Sequence, residues 1–388
     1  MARGACAFVS LLSSTSEEIK LINLIRITVS TVLLVCGSWA LALDNTSEWP
    51  VTDFENSSVD HKEIMSGGPP KDGIPAIDQP KFIDPSEASE WLQNKEPVIA
   101  IKIGNEARAY PLQILMWHEI VNDIIGDKAV SVTFCPLCNA SIVFDRDLDG
   151  VRYDFGTTGR LRLSDMVMYD RQTESWWQQF TGQAIIGDLN GDKLKIIPSN
   201  IVAFESFKKQ YPKGLVLSRE TGHRRNYGRN PYAGYDDINS SPFLFRGKVD
   251  KRIRPMERVL SLRSNDKTLL FELTALQEKP VINSEFEGTS FVVLAFEDMN
   301  SALDKSEIKS SRLIPSASVY SAMVDNKKLT FQFEDGVVTD RETGTSWNIF
   351  GIAEQGELAG QQLQQLDHGV HFAFAWLAFD PEAEIFKH

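Results

Sequence analysis

Three observations predict a β-rich α+β fold made of two pseudo-symmetric repeats of a mostly antiparallel sheet unit with short helices. Short alternating runs recur along the chain, including VSVTF at 130–134, SIVF at 141–144, VRYDF at 151–155 and LTFQF at 329–333, and this period suits half-buried strands. Turn dipeptides separate them: Asp149-Gly150, Asn190-Gly191 and Asp335-Gly336 are hairpin signals, because a tight hairpin turn needs positive φ. The chain also repeats itself. IAIKIGNEARAYPLQIL from Ile99 can be laid over LSLRSNDKTLLFELTAL from Leu260, and DRQTESWWQQF from Asp170 over DRETGTSWNIF from Asp340, so both boxes recur at a similar offset.

The elements follow in order. Residues 1–42 read as a cleaved signal peptide: Lys20 and Arg26 flank an apolar core, and Ala40-Leu41-Ala42 forms an A-x-A site. The apolar stretch 27–43 is short for a ~20-residue membrane span, so an uncleaved N-terminal anchor is the lesser alternative. Val35 before Cys36 does not suit a lipoprotein signal. Residues 43–95, rich in Asp, Ser, Pro and Gly, form an irregular N-terminal arm. Residues 96–217 are the first repeat, 218–258 a connector without periodicity, and 259–388 a degenerate second repeat. Helices are expected over 112–125, 201–211 and 372–379. Loops as long as the connector are usually functional or disordered.

Composition excludes several function classes. The 388 residues carry 53 acidic and 40 basic side chains, a formal charge of −13. That field opposes binding to nucleic acid or to a polybasic-seeking membrane surface. A small-molecule or protein partner is left open. Removing the leader takes away Arg3, Lys20, Arg26, Glu17 and Glu18, and with them Cys6 and Cys36. The expected location is periplasmic or secreted, and there a chain whose only cysteines are Cys135 and Cys138 draws attention to that pair.

Phe134-Cys135-Pro136-Leu137-Cys138-Asn139 is the most specific motif. Two thiolates two residues apart can chelate one soft ion from a tight knuckle. The same spacing can close a strained, reducible disulfide for redox work, or a permanent structural one. Haem attachment fails because Asn139 stands where histidine is required. No second C-x-x-C exists, so a metal must recruit ligands from elsewhere. The candidates are His118, on the expected helix ahead of the cysteine strand, and Met168, which alternates with Met166 in DMVMYDR. Two thiolates, an imidazole and a thioether form a soft set that favours Cu(I). Copper, or another soft transition metal, is therefore the expected cofactor, if there is one.

The second repeat carries Lys279 and Glu297 where the first has His118 and Cys135, so the knuckle belongs to one copy. His368 and His371 read as the exposed N-terminal cap of the last helix, with an interfacial ligand pair as the alternative. Trp176, Trp177 and Trp347 are expected in the cores, and Asp170-Arg171 with Asp340-Arg341 as ion pairs. In the connector, Arg224, Arg225 and Tyr227 stand in a basic-aromatic run that could receive an anion. No glycine-rich phosphate loop, G-x-S-x-G elbow or H-E-x-x-H is present.

The runs AYPLQILMWHEIVND, TFCPLCNASIVFDR, VMYDRQTESWWQQFTGQAIIGDLNG and TGHRRNYGRNPYAGYD together resemble a family of exported bacterial and archaeal proteins catalogued as domain of unknown function 3179. The resemblance covers nearly the whole chain after the leader. It implies a secreted or periplasmic protein, supports the site around His118, Cys135 and Cys138, and carries no activity. The expectation is thus an exported protein that binds a soft metal or does redox work through the pair. The alternatives are a metal-free thiol-disulfide oxidoreductase and a non-enzymatic ligand-binding or scaffold protein with a structural disulfide.

Overall fold

The computed structural model describes residues 46–387; the expected signal peptide lies outside them. The fold is β-rich α+β, with short strands in several mostly antiparallel sheets and helices of at most seven residues. No helix among the described residues is long and apolar enough to cross a membrane.

In the first half Asn200–Ala203, Pro97–Ile103, Glu106–Pro111 and Leu215–Leu217 lie side by side, and the last pair is parallel. In the second half His368–Phe372, Arg258–Ser264, Lys267–Glu272 and Glu384–Ile385 follow the same order, again with a parallel last pair. A short helix comes next in each half, Leu112–His118 and Leu273–Glu278. Antiparallel strands follow: Ile120–Ile125, Lys128–Cys135 and Ala140–Asp145 in one half, Val281–Phe286, Thr289–Asn300 and Leu313–Ser321 in the other.

The first helix stops earlier than its sequence suggests. Glu119 takes a left-handed conformation at φ 58° and its N–H donates to Leu115 O. The β-branched residues Ile120, Val121, Ile124 and Ile125 then continue as a strand, where branched side chains pack better than in a helix. Likewise the stretch 201–211 is a strand end followed by the helix Phe204–Gln210. His368 and His371 are not a helix cap: both sit on the strand His368–Phe372, and His371 is buried.

Asp170 and Asp340 do not pair with the arginines that follow them. Each accepts hydrogen bonds from the backbone and hydroxyl of a threonine, Thr173 or Thr343, and from an indole, Trp177 or Trp347. Arg171 turns to Asp78 of the N-terminal segment at 3.1 Å. All three box tryptophans are buried. One apolar core runs continuously from the first half, including both cysteines, into Phe372–Leu377 of the second.

Candidate functional site

The strand Lys128–Cys135 ends on Cys135, and the turn after it closes when the Asn139 N–H donates to Pro136 O at 3.2 Å. Asn139 sits at φ 51°, a conformation asparagine tolerates better than most residues. Cys135 then pairs with Ala140 to start the return strand. Three bonds hold the knuckle from outside: Phe372 N–H to Cys138 O at 2.9 Å, Asn139 Nδ2–H to Val370 O at 3.2 Å, and the Tyr235 hydroxyl to Leu137 O at 3.0 Å. The first two come from the second half and the third from the connector.

A carboxylate joins the two sulfurs. Leu163 and Ser164, at φ 53° and 69°, turn the hairpin between Phe155–Arg162 and Asp165–Asp170, and the chain re-enters the interior at Asp165. One ligand atom each from Cys135, Cys138 and Asp165 lies within 4.8 Å of the others, and all three residues are buried. The cysteines are free thiols. Asp165 Oδ2 accepts from Gln178 Nε2 at 2.5 Å and from the Phe180 N–H at 2.9 Å, whereas Oδ1 receives no N–H or O–H donor, and the carboxyl's remaining interaction is with the Cys135 and Cys138 thiols.

Burial dominates the electrostatics, because it penalises every charged form. It pushes the Asp165 carboxyl up to about 7, against the pull of the Gln178 and Phe180 donors. It also raises the Cys135 thiol, and raises Cys138 further, where the neighbouring thiol adds to it. Glu119 is pushed up to about 8 by burial and then by the charge of Asp165. Its left-handed backbone is a conformation usually left to glycine or asparagine. Glu119 borders a cleft of about 80 Å³ with Leu137, Met166 and Tyr232. Gly159 lines the same cleft; at φ +71° a Cβ there would sit 2.0 Å from Pro69 O, so only glycine lets the N-terminal segment lie against this wall. Two thiols and two carboxyls thus share a low-dielectric region that disfavours their charged forms.

The family model described as "Protein of unknown function (DUF3179)" matches residues 71–383. The chain belongs to this DUF3179 family. No curated protein and no solved structure matches it.

Among the residues that its sequence singles out, this DUF3179 protein brings Cys135 and Cys138 together but not His118 with them. Both ring nitrogens of His118 are engaged: one meets Pro75 O and the other the Tyr227 hydroxyl, each at 2.7 Å. The Tyr227 oxygen in turn contacts Thr221 Oγ1 at 2.6 Å. Burial lowers the His118 pKa to about 4, so the ring is a neutral strut between the arm and the connector. Met168 is fully buried opposite Trp177. It stands three residues from Asp165 on one strand, and side chains at that spacing point to opposite faces.

In the connector, Tyr227 is bound to His118 while Arg224 and Arg225 are exposed. The connector's closer role is to cover the knuckle: Tyr235 bonds Leu137, and Phe243 O accepts the Ser164 hydroxyl at 2.6 Å. Sequence reasoning missed Asp165 and gave Glu119 no role. The one available signal for Asp165 was an acidic residue at the head of the otherwise apolar run MVMY. Glu119 stands beside His118, but a helix expected to run on to 125 hides the left-handed turn at which it enters the interior.

Proposed function

We propose that this protein is an exported metal-binding protein, with Cys135, Cys138 and Asp165 as ligands and Glu119 as a further carboxyl close enough to feel the Asp165 charge. The observation that carries the reading is the convergence of two free thiols and the Asp165 carboxyl, all buried, with one ligand atom of each within 4.8 Å of the others. Gathered in the interior without a cation, these acidic groups are costly to ionise. A divalent ion would offset that cost, displacing protons from the thiols and carboxyls as it binds.

Two thiolates with carboxylate oxygens suit Zn2+, which accepts S and O ligands tetrahedrally. The soft set favouring Cu(I) needed His118 and Met168, and their positions lend it less support. The thiol–disulfide alternative is weakened by the raised thiol pKa values, because the thiolate is the reactive form.

The test is anaerobic titration of chelator-treated protein with Zn2+ and with Cu(I) against a competing chelator. The expected result is one Zn2+ per chain with release of protons, lost in Cys135→Ser and weakened at least tenfold in Asp165→Asn. Failure to take up either ion sinks the proposal. Tight Cu(I) binding indifferent to Asp165→Asn would restore the soft-metal expectation in place of the zinc one.

A further inference from the structure

A second site lies between the two halves, on the strand that leaves the knuckle. A groove of about 450 Å³ is bordered by Ser141 and Lys193 of the first half and by Arg263, Asp367, His368 and His371 of the second. That volume falls in the range of small-molecule sites.

Two polar atoms of these residues are buried without a partner: Ser141 Oγ and Arg263 Nε. The histidine's tautomer follows from its neighbour. Trp376 Nε1–H donates to His371 Nδ1 at 2.9 Å, which leaves the ring proton on Nε2. His371 is 3% exposed, and its Nε2 side packs beside Gly369 at the groove wall. Arg263 lies between Asp367, bonded to its Nη2 at 2.8 Å, and the Trp376 ring, 5.5 Å from its guanidinium carbon. These partners hold the arginine in place and leave Nε over. Lys193 is exposed at the rim.

The groove is thus rich in donors, with two full cations against the single carboxylate of Asp367, on a chain of charge −13. Fixed donors around a cationic pair are the chemistry that receives an oxyanion.

We propose that this groove binds a small oxyanion-bearing molecule, with Arg263 and Lys193 meeting its charge and Ser141 and His371 lining the wall beside it. The site is separate from the thiol cluster and does not depend on its metal.

Calorimetric titration of the full chain at low ionic strength with inorganic phosphate and, separately, with succinate tests this. Binding of either anion is expected, weakened tenfold or more by the surface substitution Lys193→Glu and by Arg263→Gln, and retained in Cys135→Ser. A preference for phosphate points to phosphate esters as natural ligands, and one for succinate to organic acids. No heat with either anion overturns the proposal. So does binding that Lys193→Glu leaves unchanged while circular dichroism shows that variant folded.

Discussion

Asp170 and Asp340 do the same work in the two halves, whereas Asp165 and Asp335, five residues ahead of them, do not. The first pair accepts equivalent bonds: threonine N–H at 2.7 Å and indole N–H at 2.9 Å in both halves. The second pair diverges, since Asp165 is fully buried beside the thiols and Asp335 is exposed in a hairpin turn. The helix ends diverge too. The first half closes its helix on Glu119 at φ 58°, the second on Lys279 at φ −131°. Where the first half has Cys135, the second has Glu297, bonded to the Ser206 hydroxyl. The scaffold device is common to both halves and the thiol–carboxyl cluster is confined to one. The other half braces that cluster, through Val370 and Phe372.

The comparison can be broken most forcefully at its shared part. Trp177→Ala and Trp347→Ala should each cost roughly 3–5 kcal/mol in urea unfolding, since each opens a large cavity and strands an aspartate. Costs differing by more than about 2 kcal/mol, on the same scale, would mean that the two boxes are not equivalent.

A pH experiment sharpens the difference between the aspartates. The Asp165 pKa rises from an ordinary 3.8 to about 7 on folding, so between those values the folded chain holds a proton that the unfolded chain has released. Its contribution to metal-free stability is therefore fully present below about pH 4 and is lost as pH rises to about 7. With chelator present, Asp165→Asn should flatten that fall. Asp335→Asn should change stability by no more than about 0.5 kcal/mol at any pH. Equal pH slopes in wild type and Asp165→Asn would contradict the burial argument.

The smallest effect is expected at the helix ends. Glu119→Gly should stabilise metal-free protein by about 0.5–1 kcal/mol, because glycine adopts positive φ without strain, and it should weaken Zn2+ uptake. Lys279→Gly, at an ordinary φ, should instead destabilise by a similar amount through the added freedom of the unfolded chain. A gain at both positions would show that backbone strain does not distinguish them.

Much of this was legible in the sequence. The period-two runs identify the strands, the paired Asp-Arg-x-Thr boxes identify equivalent turns, and the spacing of Cys135 and Cys138 identifies the knuckle. His118 was visible but misleading: a histidine near a cysteine strand suggests a ligand, and only its two partners, Pro75 O and the Tyr227 hydroxyl, reveal a strut. The end of the first helix was hidden because no glycine or asparagine marks it. Asp165 was hidden because it lies far from the knuckle along the chain, on a strand that looks like core.

By itself, then, the sequence determined the class of fold and the location of the thiol pair, since periodicity, turn chemistry and short spacings are local properties written along the chain. Tertiary structure decided which carboxyl faces the thiols, which histidine nitrogen keeps its proton, and how far burial shifts each acid. Those depend on packing between segments distant in sequence, because only the folded interior removes the water that would otherwise hold every carboxylate at its ordinary pKa.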